Sequence, residues 1–297
     1  MRASLTYQLL ATLPPRASGW AVVIVLFALV PGVSRGEPHE PANSSPPVSW
    51  RQLAPDLEMT EINGGVLEAD IVFFRTSLAR YRVGVIRAAA HGRERASIRQ
   101  LAERSGATLA INANFFDKRG KALGLIVTGG STYQRLHQGG RTLTGVFSVG
   151  SDGIRIANRS SYSTTYVSEA VQAGPRLVAE GSPVPDLSQS GASSRRSGLC
   201  IDRHGRLIFF AVSSGIFGVT LEKLQKVVML PGIDCMDALN LDGGGSSQLI
   251  VTLPDGRGGS EIFLPGQDDI PIALALFARP AKTEAAQPKT QIPARPR

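Results

Sequence analysis

Short apolar runs, each closed by a turn sequence, fill residues 66–277 and leave room for only two convincing helices. Tyr81-Arg-Val-Gly-Val-Ile86 alternates with the period of two expected of a half-buried strand. Glu68 to Phe74, Thr108 to Asn112, Leu123 to Thr128 and Thr144 to Val149 read as further strands. Ser151-Asp-Gly153 and Asp202-Arg-His-Gly205 are turn sequences between apolar runs, and so signal hairpins. Ser97 followed by Gln100 marks a helix start, which Gly106 closes. Thr220 caps a second helix reaching about Leu230, ended by Pro231-Gly232. Hairpin-linked strands with few helices imply an α+β fold: one domain of mixed, mostly hairpin-connected sheet.

Both chain ends read differently. Residues 1–36 have a basic start at Arg2 and Arg16, an uncharged apolar run from Trp20 to Val30, and small residues at Ser34 and Gly36. That is the layout of a cleavable signal peptide, and it implies a periplasmic or extracellular protein. The alternative is an uncleaved membrane anchor, but Pro14, Pro15 and Arg16 interrupt the run. Residues 37–49 read as a linker and residues 280–297 as a disordered tail, because both carry Pro and polar residues with little to bury. The folded domain is expected over residues 50–279.

Composition narrows the function. The formal charge of +8 falls by three, to +5, once Arg2, Arg16 and Arg35 leave with the signal. The domain is mildly basic and has no dense Lys/Arg stripe, which argues against nucleic acid and suits an anionic substrate or envelope surface. The membrane is a partner only through the N-terminal segment, if uncleaved. Cys200 and Cys235 are either a disulfide or two small buried hydrophobes. His39, His91, His137 and His204 show no zinc-site spacing. No Gly-x-Ser-x-Gly appears, so a serine esterase is rejected.

The segment Ala238-Leu-Asn-Leu-Asp242-Gly-Gly-Gly-Ser246-Ser247 is the candidate active site. An apolar strand ends there in a carboxylate, then three glycines, then two hydroxyls. Glycine permits positive φ and close approach of backbone to a ligand. Gln248 to Leu253 is expected to return as the hairpin partner of this strand.

Four segments in this order resemble the phosphodiester glycosidase domain family: Ile111-Asn-Ala-Asn-Phe-Phe116, Gln172-Ala-Gly-Pro-Arg-Leu-Val178, Arg196-Ser-Gly-Leu-Cys-Ile-Asp202 and Asp237-Ala-Leu-Asn-Leu-Asp-Gly-Gly-Gly-Ser246. This chain departs from the pattern at Ala113-Asn114, where the family often has Gly-Gly, and at Ser197-Gly198, where it usually has Thr-Ala.

The resemblance implies an exported hydrolase that cleaves the sugar C1–O bond of a glycosyl-1-phosphodiester and releases a sugar and a phosphomonoester. The alternative is a non-catalytic envelope glycan-binding module with the same fold. In the first reading, Asp242 stabilises or attacks the oxocarbenium-like centre, and Arg196 grips phosphate oxygens. Asn112 and Gln172 suit sugar hydroxyls. The backbone of Gly243, Gly244 and Gly245 cradles phosphate or holds the sugar, and Ser246 orients Asp242 or donates to phosphate. No cofactor is certain; a divalent cation near Asp242 would relieve its repulsion from the phosphate. Asp117, Glu169, Asp234 and Asp237 are candidates for a second carboxylate, Phe115 and Phe116 for core positions, and Asp202 for its turn.

Overall fold

The structure, a computed structural model, describes residues 48–64, 69–187, 193–213, 218–253 and 260–280. The expected signal peptide, most of the linker, all but the first residue of the expected tail, and Glu68 lie outside the described residues. All the described residues belong to one compact unit, Ser45–Arg297. No helix among them is long and apolar enough to cross a membrane.

The described residues build three antiparallel sheets. The largest has eight strands in the order Arg51–Ala54, Leu57–Ile62, Ile71–Thr76, Leu207–Val212, Ser197–Asp202, Cys235–Asn240, Arg176–Ala179 and Ser182–Pro183. A five-stranded sheet contains Ser131–Gln134, Ile126–Thr128, Val167–Ala173, Gly145–Gly150 and Gly153–Asn158. A second five-stranded sheet contains Ser260–Leu264, Leu249–Leu253, Leu109–Asn112, Ile272–Ala278 and Tyr81–Arg87.

The period of two along the strands explains how these layers share a core. Phe74, Leu199, Phe209 and Leu239 of the large sheet face one interior cluster with Phe147 and Val171 of the second sheet and Ile111 and Leu274 of the third. Their chain neighbours Phe73, Cys200, Ile208, Phe210 and Ala238 point the other way. That outer face is covered by helix Leu221–Val228 through Leu221, Leu224 and Val228. With both faces covered, runs such as Leu207–Val212 are apolar throughout rather than alternating. Helix Ile98–Ser105 covers the third sheet in the same way, through Ile98, Leu101 and Ala102 against Ala110, Ile250 and Ala273.

Helix starts and the tight hairpins form as expected. The Ser97 side chain accepts from Gln100 N, and the Thr220 side chain accepts from Lys223 N. Gly106 ends its helix in the left-handed region. Asp202 does sit in its turn, accepting from His204 N and Arg206 N at 2.8 and 2.9 Å. Cys200 and Cys235, both buried, form a disulfide between adjacent strands, with Cα atoms 5.7 Å apart.

Two expectations are corrected. Leu249–Leu253 is not the hairpin partner of Cys235–Asn240; it pairs with Ser260–Leu264 and Leu109–Asn112 in another sheet. A 3-10 turn at Gly244–Ser246 redirects the chain between sheets. The segment Gln172-Ala-Gly-Pro-Arg-Leu-Val178, whose sequence suggests entry into one further strand, instead has Gln172 and Val178 on strands of two different sheets, parted by the cis Gly174–Pro175 bond.

Candidate active site

Asp242 lies two residues beyond its strand, at the seam between sheets. Leu241 N bonds to Ser197 O at 2.9 Å and Asp242 N to Ala113 O at 3.0 Å, so the chain crosses from the large sheet to the third sheet here. Asn112 fastens the crossing. Its Nδ2 donates to Asp242 O at 2.7 Å, and its Oδ1 accepts from Ser197 Oγ at 2.8 Å and Gln248 N at 3.1 Å.

Asn112 has no exposed surface, so it braces the Asp242 backbone and does not face a sugar as expected. Gln172 is likewise fully buried. Its oxygen accepts from Leu125 N and His137 N, and its nitrogen donates to His137 O and Leu143 O. With every polar atom used inside the protein, it pins a loop and is not placed to contact substrate.

The glycines serve packing more than ligand capture. Gly243 N donates to Asp242 Oδ1 at 3.0 Å and Gly244 N to Arg195 O at 2.9 Å. These two N–H groups are committed internally and do not form the anion cradle expected of them. Gly244 has φ of 62°, a backbone conformation that suits glycine. Any side chain at Gly245 would collide with the Asp268 carboxylate. Gly245 O accepts from Gln267 N and Asp268 N, which holds that carboxylate over the turn.

Asp242 is half-buried. Burial pushes its pKa from the ordinary 3.8 up to about 6. Hydrogen bonds from Ser246 and from Gly243 N pull it back, and the nearby Asp268 charge adds to the rise. Ser246, itself buried, thus orients Asp242.

The two adjacent arginines have separate tasks. Arg195 Nη2 donates to Ser247 O at 2.9 Å and Pro265 O at 2.6 Å, tying the glycine turn down. Arg196 lines a cleft of about 660 Å³ together with Phe115, Arg141, Arg176 and Asn240. A side chain at Gly243 would meet its guanidinium at 3.4 Å, so Arg196 connects the Asp242 turn to the cleft. Burial lowers its pKa, though a guanidinium keeps its charge in proteins.

Phe115 forms part of this wall, whereas Phe116 packs into the core as expected.

The second carboxylate beside Asp242 is Asp268, which the sequence reading did not single out. Glu169 is taken by Val85 N and Gly129 N, Asp117 by Arg119 N and Lys121 N, Asp234 by Arg203, and Asp237 by Arg176. Asp268 carried no motif; it becomes visible only through the contact with Gly245. Gln248 was also missed. Its side chain accepts from Ile98 N and donates to Ser246 O and Asp268 O, so one amide fixes three parts of the site.

Among the described residues no three His, Cys, Asp or Glu side chains converge. Hard cations such as calcium take six or more oxygen ligands. A cation at Asp242 and Asp268 would draw the rest of its shell from water and substrate.

The phosphodiester glycosidase family model matches residues 105–278, more than half of the 297-residue chain. No curated protein sequence matches. Among solved structures, the chain is similar to the catalytic domain of zebrafish N-acetylglucosamine-1-phosphodiester alpha-N-acetylglucosaminidase, auto-inhibited by its pro-peptide. Identity is 18%, the match covers 78% of this chain and 87% of that one, and the TM-score is 0.60. A hypothetical protein from Synechocystis is similar at 17% identity and a TM-score of 0.55, over 79% of this chain and 64% of that one. At such identities the likeness shows the fold alone. The family match, together with the α+β fold these structures share, identifies the chain as a member of the phosphodiester glycosidase family.

Proposed function

We propose that the protein is an exported hydrolase that cleaves the sugar C1–O bond of glycosyl-1-phosphodiesters. The observation that carries this reading is the placement of a carboxylate with pKa about 6 beside a half-buried arginine at the edge of a cleft. Cleavage at C1 builds positive charge on the sugar ring and negative charge on the departing phosphate. Ionised Asp242 stabilises or attacks the first; Arg196 holds oxygens of the second in a charge-assisted, bidentate grip. The departing phosphomonoester is a weak base and needs little proton donation.

Burial, with a smaller push from the Asp268 charge, keeps the Asp242 proton affinity high, so the acid and carboxylate forms interconvert near neutral pH. A divalent cation bound at these carboxylates would add positive charge at the phosphate. The Cys200–Cys235 disulfide supports export, since such bonds persist in oxidising compartments.

Hydrolysis in ¹⁸O-labelled water tests the bond cleaved. Label in the sugar is expected. Label in the phosphomonoester would mean P–O cleavage, and the proposed roles of Asp242 and Arg196 would be wrong.

A further inference from the structure

Two residues that line the cleft with Arg196, Asn240 and Arg176, each carry a buried side-chain atom without a hydrogen-bond partner in the protein. Asn240 Nδ2 donates to Gly174 O at 2.9 Å and Leu241 O at 2.6 Å. Carbonyls only accept, so the amide orientation is fixed, and Oδ1 is the atom left without a donor. Asn240 is 1% exposed. Arg176 Nε, also buried, lacks an acceptor.

Arg176 is held rigidly. Its N bonds to Thr144 Oγ1 and its Nη2 pairs with Asp237, both at 2.9 Å, and its stem lies where any side chain at Gly145 would collide with it. Its strand and Ser197–Asp202, which Arg196 directly precedes, flank the Asn240 strand, two inter-strand spacings or roughly 10 Å apart. Arg141 adds a third guanidinium to the same wall, against Asp186 in the lining and the Asp237 already paired with Arg176.

We propose that Arg176 and Asn240 form a second recognition point, for an anionic group with a neighbouring hydroxyl, carried by the leaving-group side of the substrate beyond the phosphodiester. This rests on the glycosidase reading of the site and deepens it. Preferred substrates then carry two separated negative charges, as in a chain of repeating phosphodiesters or a diester whose aglycone ends in a phosphate or carboxylate.

The test compares two glycosyl phosphodiesters, one with a methyl aglycone and one with a glycerol phosphate aglycone. The wild type is expected to favour the second by about tenfold or more in kcat/KM, through KM. The double variant Arg176→Gln/Asp237→Asn, which leaves no unpaired carboxylate, is expected to lose that preference with melting temperature held, and Arg176→Lys to restore part of it. Equal kcat/KM for both compounds in the wild type, or an undiminished preference in the double variant, overturns the second point and leaves the glycosidase reading standing. Turnover of neither compound would count against the glycosidase reading instead. Calorimetric binding of the same two compounds to both proteins then decides the second point: a wild-type preference lost in the variant supports it, and equal binding overturns it.

Discussion

The side-chain amide of Asn112 donates to the main-chain carbonyl of Asp242 at 2.7 Å, across 130 residues of sequence and between two sheets. A buried asparagine thereby fixes the backbone of the proposed catalytic carboxylate without touching its side chain.

Replacing Asn112 with Ala strands Gln248 N in the interior and leaves the Asp242 carbonyl and the Ser197 hydroxyl only their mutual 3.2 Å bond. Leaving buried groups unpaired costs about 1–3 kcal/mol, so denaturant unfolding is expected to show a loss in that range. Turnover is expected to fall mainly in kcat, since Asp242 loosens while the arginines of the cleft stay in place. A larger effect on KM than on kcat would make Asn112 a substrate contact after all.

The pH dependence follows from the ionisation of Asp242. The working form is the carboxylate, so kcat/KM is expected to rise with pH through an apparent pKa of about 6 and then level off. Burial is the main cause of that raised pKa, and the Asp268 charge adds to it. Asp268→Asn is therefore expected to move the acid limb to lower pH, and a limb that stays put or moves upward would remove Asp268 from the site. Full-range rate profiles of both proteins measure this.

Stability should run opposite to activity. Asp242 has a folded-state pKa above its ordinary 3.8, so the folded state binds more protons than the unfolded state between pH 3.8 and about 6. The destabilisation it causes is absent below that window and complete above it. Asp242→Asn is expected to melt at or above the wild-type temperature at pH 7.5, with the difference shrinking as the pH falls toward 4. A variant less stable than wild type at pH 7.5 would mean that hydrogen bonds to the carboxylate outweigh its burial.

Local signals carried much of the fold. Ser97, Thr220 and Gly106 act within one helical turn, and their positions could be read directly. Asp242 stood out because a strand end with an acid and three glycines has few other uses, and Arg196 only through the resemblance to the family. What sequence hid was long-range. Asn112 and Gln172 carry the same donors and acceptors whether they face a sugar or the core, and only the fold shows their bonds closed internally. Asp268 sits in an ordinary-looking loop, and Gly245 alone makes room for it. Gly198, where the family usually has Ala, is explained by Phe210, whose ring occupies the space a Cβ would take.

The most direct measurement is phosphomonoester release from a panel of sugar-1-phosphodiesters by wild type and Asp242→Asn, each with and without chelator. Wild-type turnover that falls by about 10²-fold or more in the variant is the result the mechanism requires. Loss with chelator would place a cation beside Asp242. Release by Asp242→Asn at the wild-type rate would contradict the central claim, and no release by wild type on any compound would point to a glycan-binding module instead.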